Sequence, residues 1–208
     1  MPNYGPFVVE DFVPISSTRI LITAGQSYRE LNFILETDWD LGNPVEVKRG
    51  RYLRLGHVFE GELIYSKGWQ GKHQPFQHES GFYYSDDAPT ARLYKDGEVL
   101  IDHWDGIAEV GNPWIDRDVI YFEARVSHLP APYGWDIYRA DLDGKNIKRL
   151  LHGANPCMFE DFLYYGIWNG KSFCITRTHR RDLLPTDPHV PVRWVNPEQV
   201  SCPACGSN

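Results

Sequence analysis

Residues 111–149 read GNPWIDRDVIYFEARVSHLPAPYGWDIYRADLDGKNIKR, and this stretch predicts the fold of the chain. It contains three short runs rich in β-branched and aromatic residues, at 119–122, 136–140 and 147–151, and turn residues bound each run. Such runs are typical of an antiparallel meander. A single meander cannot bury its apolar face, so it needs neighbouring sheets.

A similar pattern of a turn residue before a predicted strand recurs along the chain. A residue followed by proline precedes an apolar strand in five places, and successive prolines are separated by 30 to 43 residues. The five pairs are Val13-Pro14, Asn43-Pro44, Gln74-Pro75, Asn112-Pro113 and Asn155-Pro156. Periods of this size are typical of stacked or radially arranged β units. The sequence therefore predicts an all-β fold, a small five-bladed β-propeller with three to four antiparallel strands per blade; a sandwich or barrel is the alternative.

Two parts of the chain are distinguished by composition. Residues 1–184 are predicted to form the propeller, and residues 185–208, which hold five prolines, an extended C-terminal tail. We also expect 7–12 to form a strand that pairs with the last unit and closes the ring.

Charge and hydropathy exclude some partners. A formal net charge of −7 disfavours a nucleic-acid partner, because phosphate binding needs a concentrated basic surface. No stretch approaches the apolar length of a membrane span, and 1–11 lacks the pattern of a secretion signal. We therefore expect a cytoplasmic protein, in which four cysteines do not imply a disulfide framework.

Two families of propellers share patterns with this chain. Residues 136–151, DIYRADLDGKNIKRLL, resemble the repeat of TolB-like propellers. The five-unit count and residues 111–125, GNPWIDRDVIYFEAR, resemble the five-bladed propeller glycosidases of the arabinanase, levansucrase and invertase kind. The second resemblance implies an axial strand at the start of each blade, often with an acidic residue directly before a proline. It also implies three axial carboxylates: a base or nucleophile, an acid, and a residue that tunes the acid.

The residues before the five prolines depart from that pattern, because none of them is a carboxylate. Amides can orient a polyol by hydrogen bonding, but they cannot transfer a proton near neutral pH. A glycosidase-type hydrolase would need acids from other positions, with Asp116, Glu123 or Asp86 as acid or base. The nearest carboxylates also include Glu109 and Asp87. Each of these could equally be a solvated surface group.

A non-catalytic binding or assembly module is the leading hypothesis. The amides of Asn43, Gln74, Asn112 and Asn155 are predicted to surround one mouth of the central channel, although each could instead cap a local turn. Trp69 and Trp135 lie beside glycines in predicted loops, where an indole can stack on a sugar or anchor a protein partner. Packing between blades is the alternative role for these aromatic side chains.

The tail adds a zinc hypothesis. Cys202 and Cys205 have the two-residue gap of a zinc knuckle, and Cys157 and Cys174 could complete the ligand set. The same two cysteines could instead be inert buried thiols. In the zinc-bound alternative the chain is an oligomer or assembly component joined through its tail; no other cofactor is expected.

Overall fold

A computed structural model describes most of the chain. The described residues are 8–25, 32–51, 53–67, 73–85, 91–126, 134–168 and 173–188. In these ranges the chain forms seventeen β-strands and a single 3-10 helix, at Arg180–Asp182. The predicted all-β class is confirmed.

The strands form five antiparallel sheets in chain order. The first sheet consists of β1 (Val8–Pro14), β2 (Arg19–Gly25), β3 (Asn32–Asp38) and β4 (Val45–Gly50). The second consists of β5 (Leu53–Phe59) and β6 (Glu62–Lys67). The third consists of β7 (His73–His78), β8 (Gly81–Ser85), β9 (Leu93–Lys95) and β10 (Glu98–Ile101). The fourth consists of β11 (Ile107–Asp116), β12 (Val119–Val126), β13 (Trp135–Asp141) and β14 (Lys148–His152). The fifth consists of β15 (Ala154–Phe159), β16 (Phe162–Trp168) and β17 (Phe173–His179).

The first strands of the five sheets form the inner wall of a propeller-like ring. β1 contacts β5, β5 contacts β7, β7 contacts β11, β11 contacts β15, and β15 contacts β1. Four sheets have the predicted three or four strands, whereas the second has two within the described residues.

The second strands β2 and β12 are buried along nearly their whole length, which explains why each is mostly apolar. In β12, Ile120 and Phe122 pack in a cluster shared with the third sheet. The intervening Tyr121 packs with Leu163 of the fifth sheet. Successive side chains of one strand therefore contribute to two different interfaces between sheets.

Three of the five predicted residue-proline pairs occupy equivalent places, at an irregularity in the inner strand. The shifts of register lie between His73 and Phe76 in β7, between Gly111 and Trp114 in β11, and between Ala154 and Cys157 in β15. Proline is tolerated at such a bulge because the ladder is already interrupted there.

The other two residue-proline pairs do not occupy this position, so the predicted fivefold repeat is wrong for them. Pro14 is the last residue of β1, and Pro44 lies in the turn before the outer strand β4. Val45, the apolar residue after Pro44, is 57% exposed. The register shifts of the first two inner strands occur elsewhere, between Val9 and Asp11 and between Leu55 and His57.

Ring closure also differs from the prediction. The N-terminal strand β1 pairs with β2 in its own sheet, not with a strand of the last sheet. The first and last sheets are joined by side-chain packing, in a cluster that includes Phe12, Leu35 and Cys157. The indole of Trp39 stacks on the ring of Tyr164, with centroids 5.0 Å apart.

We expect Trp39→Ala to lower the free energy of unfolding by about 1–2 kcal/mol, because it removes apolar area and one stacked pair at the closing interface. Chemical denaturation of the variant and the parent protein measures the loss. A change within about 0.5 kcal/mol would contradict a role for this stack in closing the ring.

The segment after the last strand forms hydrogen bonds with the fourth sheet. Thr186 and Arg149 exchange two backbone hydrogen bonds, with N···O distances of 2.8 and 3.1 Å. The start of the predicted tail therefore runs along β14, and residues 189–208 lie outside the described residues. Among the described residues no helix has the length and apolar character needed to cross a membrane.

Candidate functional site

One group of polar side chains converges beside the axis where the fourth and fifth sheets meet. We call Glu109, Asn112, Glu123, Arg125 and Asn155 the axial cluster. β11 and β12 position four of them, because Glu109 pairs with Arg125 in register and Gly111 pairs with Glu123. The fifth, Asn155, comes from the irregular part of β15. The cluster therefore brings together two of the predicted amides and two of the considered carboxylates.

Glu123 is held from both sides. Asn112 Nδ2 donates a short hydrogen bond to Glu123 Oε1, and it also donates to Asn155 Oδ1 at 2.9 Å. The backbone N–H of Asn155 donates to Glu123 Oε2 at 2.6 Å. This carboxyl group thus connects β12 of the fourth sheet to β15 of the fifth.

The backbone of the two asparagines explains how they reach Glu123. Asn112 has φ 52° and Asn155 has φ 53°, so both adopt the left-handed conformation that asparagine tolerates better than most residues. Pro113 follows Asn112, and Pro156 follows Asn155. Neither proline has a backbone N–H group that the bulge would leave without a hydrogen bond. The residue-proline pattern in the sequence therefore reports a bulge that directs an amide toward the axis.

The environment of Glu123 favours its neutral form. Glu123 is only 6% exposed to solvent. Burial raises the pKa of Glu123 to about 7, against the opposing effect of the hydrogen bonds from Asn155 and Asn112, and the charges of Asp11 and Glu109 raise it further. The neighbouring Glu109 is paired with Arg125, whose Nε and Nη2 donate to Glu109 Oε1 at 2.9 and 2.6 Å.

Among the described residues, a small cavity lies at the axis between side chains and backbone of the five inner strands. Its lining includes Asp11, Leu55, Phe76, Trp114 and Cys157. The cavity has a volume of about 10 Å³, which is close to the least that one water molecule needs. A sugar ring does not fit inside, so a ligand larger than water would have to bind at the mouth.

Asp116 lies far from the axial cluster. It pairs in register with Val119, four residues along β12 from Glu123, which is roughly 13 Å at 3.3 Å per residue. Paired glycosidase carboxylates lie at most about 9.5 Å apart. Asp116 instead accepts a hydrogen bond from Arg180 Nη2 at 2.6 Å. The structure does not bring these two candidate acids together.

The other predicted ligand-binding residues are dispersed. Asn43 lies between β3 and β4, where its Nδ2 donates to Asp38 Oδ2 at 3.2 Å, so it caps a local turn and does not join Asn112 and Asn155. Gln74 lies on the inner strand β7, and Trp135 is half-buried at the start of β13, paired in register with Arg125. The side chain of Gln74 is not among the described parts. Five further candidates lie outside the described residues altogether: Trp69, Asp86, Asp87, Cys202 and Cys205.

Cys157 and Cys174 are both buried cysteine residues. Their partners on the intervening strand β16 are Tyr164 and Ile167, three residues apart, which separates the thiols by roughly 10 Å along the strand. Burial raises the pKa of the Cys157 thiol well above its usual range. Within the described part of the chain, no three His, Cys, Asp or Glu side chains are placed to hold a metal ion.

The structure adds residues that the sequence pattern did not single out. Asp11 lines the axial cavity from β1, and its signal was an acidic residue inside the apolar run of 8–13. Arg125 follows Glu123 by two residues, which places both side chains on the same face of β12. Asp136, also buried, accepts a hydrogen bond from Arg149 Nε at 2.7 Å and lies 3.0 Å from His152 Nδ1.

A second, more open surface lies between the third and fourth sheets. It is a groove of about 490 Å³, lined mainly by side chains of 100–104 and 144–147. Trp104, one of the aromatic residues of the connections, forms part of its wall and packs edge-to-face on Tyr138. This indole therefore serves the interface between sheets as well as the groove.

No protein-family model matches the chain, and a search of curated proteins finds no significant similarity. Function must therefore be inferred from the arrangement of the side chains themselves.

Proposed function

We propose that this protein is a non-catalytic binding or assembly module, which engages a glycan or a protein partner at the mouth of the ring beside the axial cluster. The observation that carries the proposal is the internal use of the candidate acids. Glu123 accepts from Asn112 and Asn155. Glu109 and Asp116 are each paired with an arginine. A carboxylate committed in this way is a poor nucleophile or proton shuttle for an external substrate.

Trp135 is the proposed contact for the ligand. It is half-buried, it precedes the buried Asp136, and its register partner Arg125 belongs to the axial cluster. An indole beside a guanidinium and amide groups can stack on a sugar face or anchor a protein side chain. The net charge of −7 supports a partner other than nucleic acid.

A glycosidase-type hydrolase is the second candidate, and one observation favours it. The pKa of Glu123, raised by burial to about 7, would suit a general acid near neutral pH. Asp11 and Glu109 are close enough for their charges to act on it. Against this, Glu123 is only 6% exposed, and the axial cavity has room for no more than about one water.

The propeller-like ring supports a kinship with the five-bladed glycosidase-type propellers at the level of architecture. On this proposal the present chain keeps the arrangement of sheets but uses amides where those enzymes use acids. The cytoplasmic location, the zinc site and the oligomer joined through the tail remain predictions from the sequence.

The test combines binding and hydrolysis with the full chain. We expect labelled protein to bind members of an oligosaccharide array or of a peptide array, and Trp135→Ala to weaken that binding about tenfold or more, equal to about 1.4 kcal/mol. Leu184→Ala is the matched control, because Leu184 is 76% exposed on the segment after the last strand. We also expect no hydrolysis of a panel of nitrophenyl glycosides.

Two outcomes would oppose the proposal. Hydrolysis that disappears in Glu123→Gln would establish the enzyme instead. Binding that Trp135→Ala and Leu184→Ala weaken equally would place the ligand away from the mouth.

A further inference from the structure

Within the described residues, two N–H groups donate hydrogen bonds to the Glu123 carboxyl group, one from the Asn112 side chain and one from the Asn155 backbone. The two hydrogens of Asn112 Nδ2 go to Glu123 Oε1 and Asn155 Oδ1, and the backbone N–H of Asn155 goes to Glu123 Oε2. Both carboxyl oxygens act as acceptors in this arrangement, which is the pattern that an ionised carboxylate requires. The pattern spans two sheets, because Asn155 belongs to β15 and Glu123 to β12.

A proton on Glu123 changes what this arrangement needs. The new O–H is a donor in a buried place, so it requires an acceptor. A half-turn of the Asn112 amide supplies one, because it exchanges the positions of Oδ1 and Nδ2. The same turn removes the Nδ2 hydrogen from Asn155 Oδ1, so the bond between the two amides is lost.

Charged groups from three strands act on this proton. Asp11 on β1 and Glu109 on β11 oppose ionisation of Glu123 through their negative charges. Arg125, on β12 itself, could offset them, but its Nε and Nη2 both bind Glu109. From β15 the carboxyl group receives only the neutral N–H of Asn155 among the described contacts. Its neighbours therefore leave the carboxyl group close to the balance between its two forms.

We propose that Glu123 is a proton-operated latch between the fourth and fifth sheets: the ionised carboxylate fixes the amides of Asn112 and Asn155 in their present arrangement, and a proton turns the Asn112 amide and breaks its hydrogen bond to Asn155 Oδ1. The latch needs no ligand and goes beyond the proposed binding role. Because burial raises the pKa of Glu123 to about 7, the change occurs near neutral pH.

Nuclear magnetic resonance of the full chain tests the latch. We expect the side-chain carboxyl carbon of Glu123 to titrate with a midpoint near pH 7, compared with 4.5 for an ordinary glutamate. The side-chain amide of Asn112 and the backbone amide of Asn155 should shift with the same midpoint. Asp116→Asn is the control, and it should leave all three midpoints unchanged because Asp116 is held by Arg180 away from the cluster.

The wild-type titration alone decides the proposal. A Glu123 midpoint near 4.5, or Asn112 and Asn155 signals that do not follow the Glu123 midpoint, would overturn it. Glu123→Gln gives a second readout, since both amide transitions should disappear in that variant.

Thermal unfolding provides an independent check with a defined sign. A folded-state pKa above the unfolded value means that the folded protein binds the proton more tightly. The resulting stabilisation is complete below pH 4.5 and is lost as the pH rises through about 7. The melting temperature of the wild type should therefore fall relative to that of Glu123→Gln between these two pH values, and a constant difference would contradict the latch.

Discussion

Trp114→Ala is expected to lower the free energy of unfolding by about 3–4 kcal/mol, because truncating a large aromatic side chain in a packed place leaves a cavity that neighbouring groups fill incompletely. Trp114 is partly buried, yet it packs against all four apolar clusters of the molecule. Its ring meets Phe76 edge-on at 5.0 Å and His57 at 5.8 Å. One side chain therefore joins the packing of the second, third and fourth sheets at the axis.

Urea denaturation of the two proteins measures this loss, provided that different probes give the same two-state transition. Trp39→Ala is the matched control, because Trp39 packs against a single cluster at the interface between the first and last sheets. Equal losses for the two variants would show that the axial position of Trp114 confers no special role. A larger loss for Trp114→Ala would establish it as the centre of the ring.

The residue-proline pattern located three of the five inner strands correctly for a physical reason. In β7, β11 and β15 the proline lies in the bulge, and the partner strand begins just after a tight turn at the end of the same strand. A fixed bulge and a fixed turn give a fixed spacing in sequence. The residue-proline pattern thus follows from the register of the first two strands of a sheet, which is why it also located Asn112 and Asn155.

The same pattern failed at Asn43 because its local chemistry is identical. Asn43 has φ 48° and Asn112 has φ 52°, and each is followed by proline. One lies in a turn between outer strands and the other in a bulge at the axis. A left-handed asparagine before proline fits both places, and only the pairing of distant strands distinguishes them.

The sequence identified several residues of the candidate site, but not the hydrogen bonds between them. The sequence singled out Glu123 as one of the carboxylates nearest to the residue-proline pairs. Its partners Asn112 and Asn155 lie 11 and 32 residues away in sequence. The contact from Asn112 depends on the bulge within the fourth sheet, whereas that from Asn155 depends on how the fourth and fifth sheets are placed around the axis, which no local spacing encodes. Asp11 was missed for the same reason, because its burial depends on neighbouring sheets.

The inner strand of the second sheet has a glycine in its bulge, where β7, β11 and β15 have a proline. Gly56 lies within the register shift of β5, between Leu55 and His57. A Cβ atom added there would lie 2.2 Å from the carbonyl oxygen of Pro75 and 2.8 Å from that of Ile64. Both obstacles are backbone atoms, one on the neighbouring inner strand β7 and one on the paired strand β6. The absence of a side chain at this position thus allows the second and third sheets to approach each other.

We expect Gly56→Ala to cost about 3 kcal/mol of folding stability, at the upper end of overpacking effects, because neither carbonyl can move without shifting its strand. Gly111→Ala is the matched control: Gly111 also lies on an inner strand beside a bulge, but its added Cβ would meet nothing nearer than Ser85 Oγ at 3.4 Å, an ordinary contact. That variant should change the stability by less than about 1 kcal/mol. Urea denaturation of both variants measures the difference. Comparable losses at the two glycines would mean that the second sheet is not held against the third by this close approach.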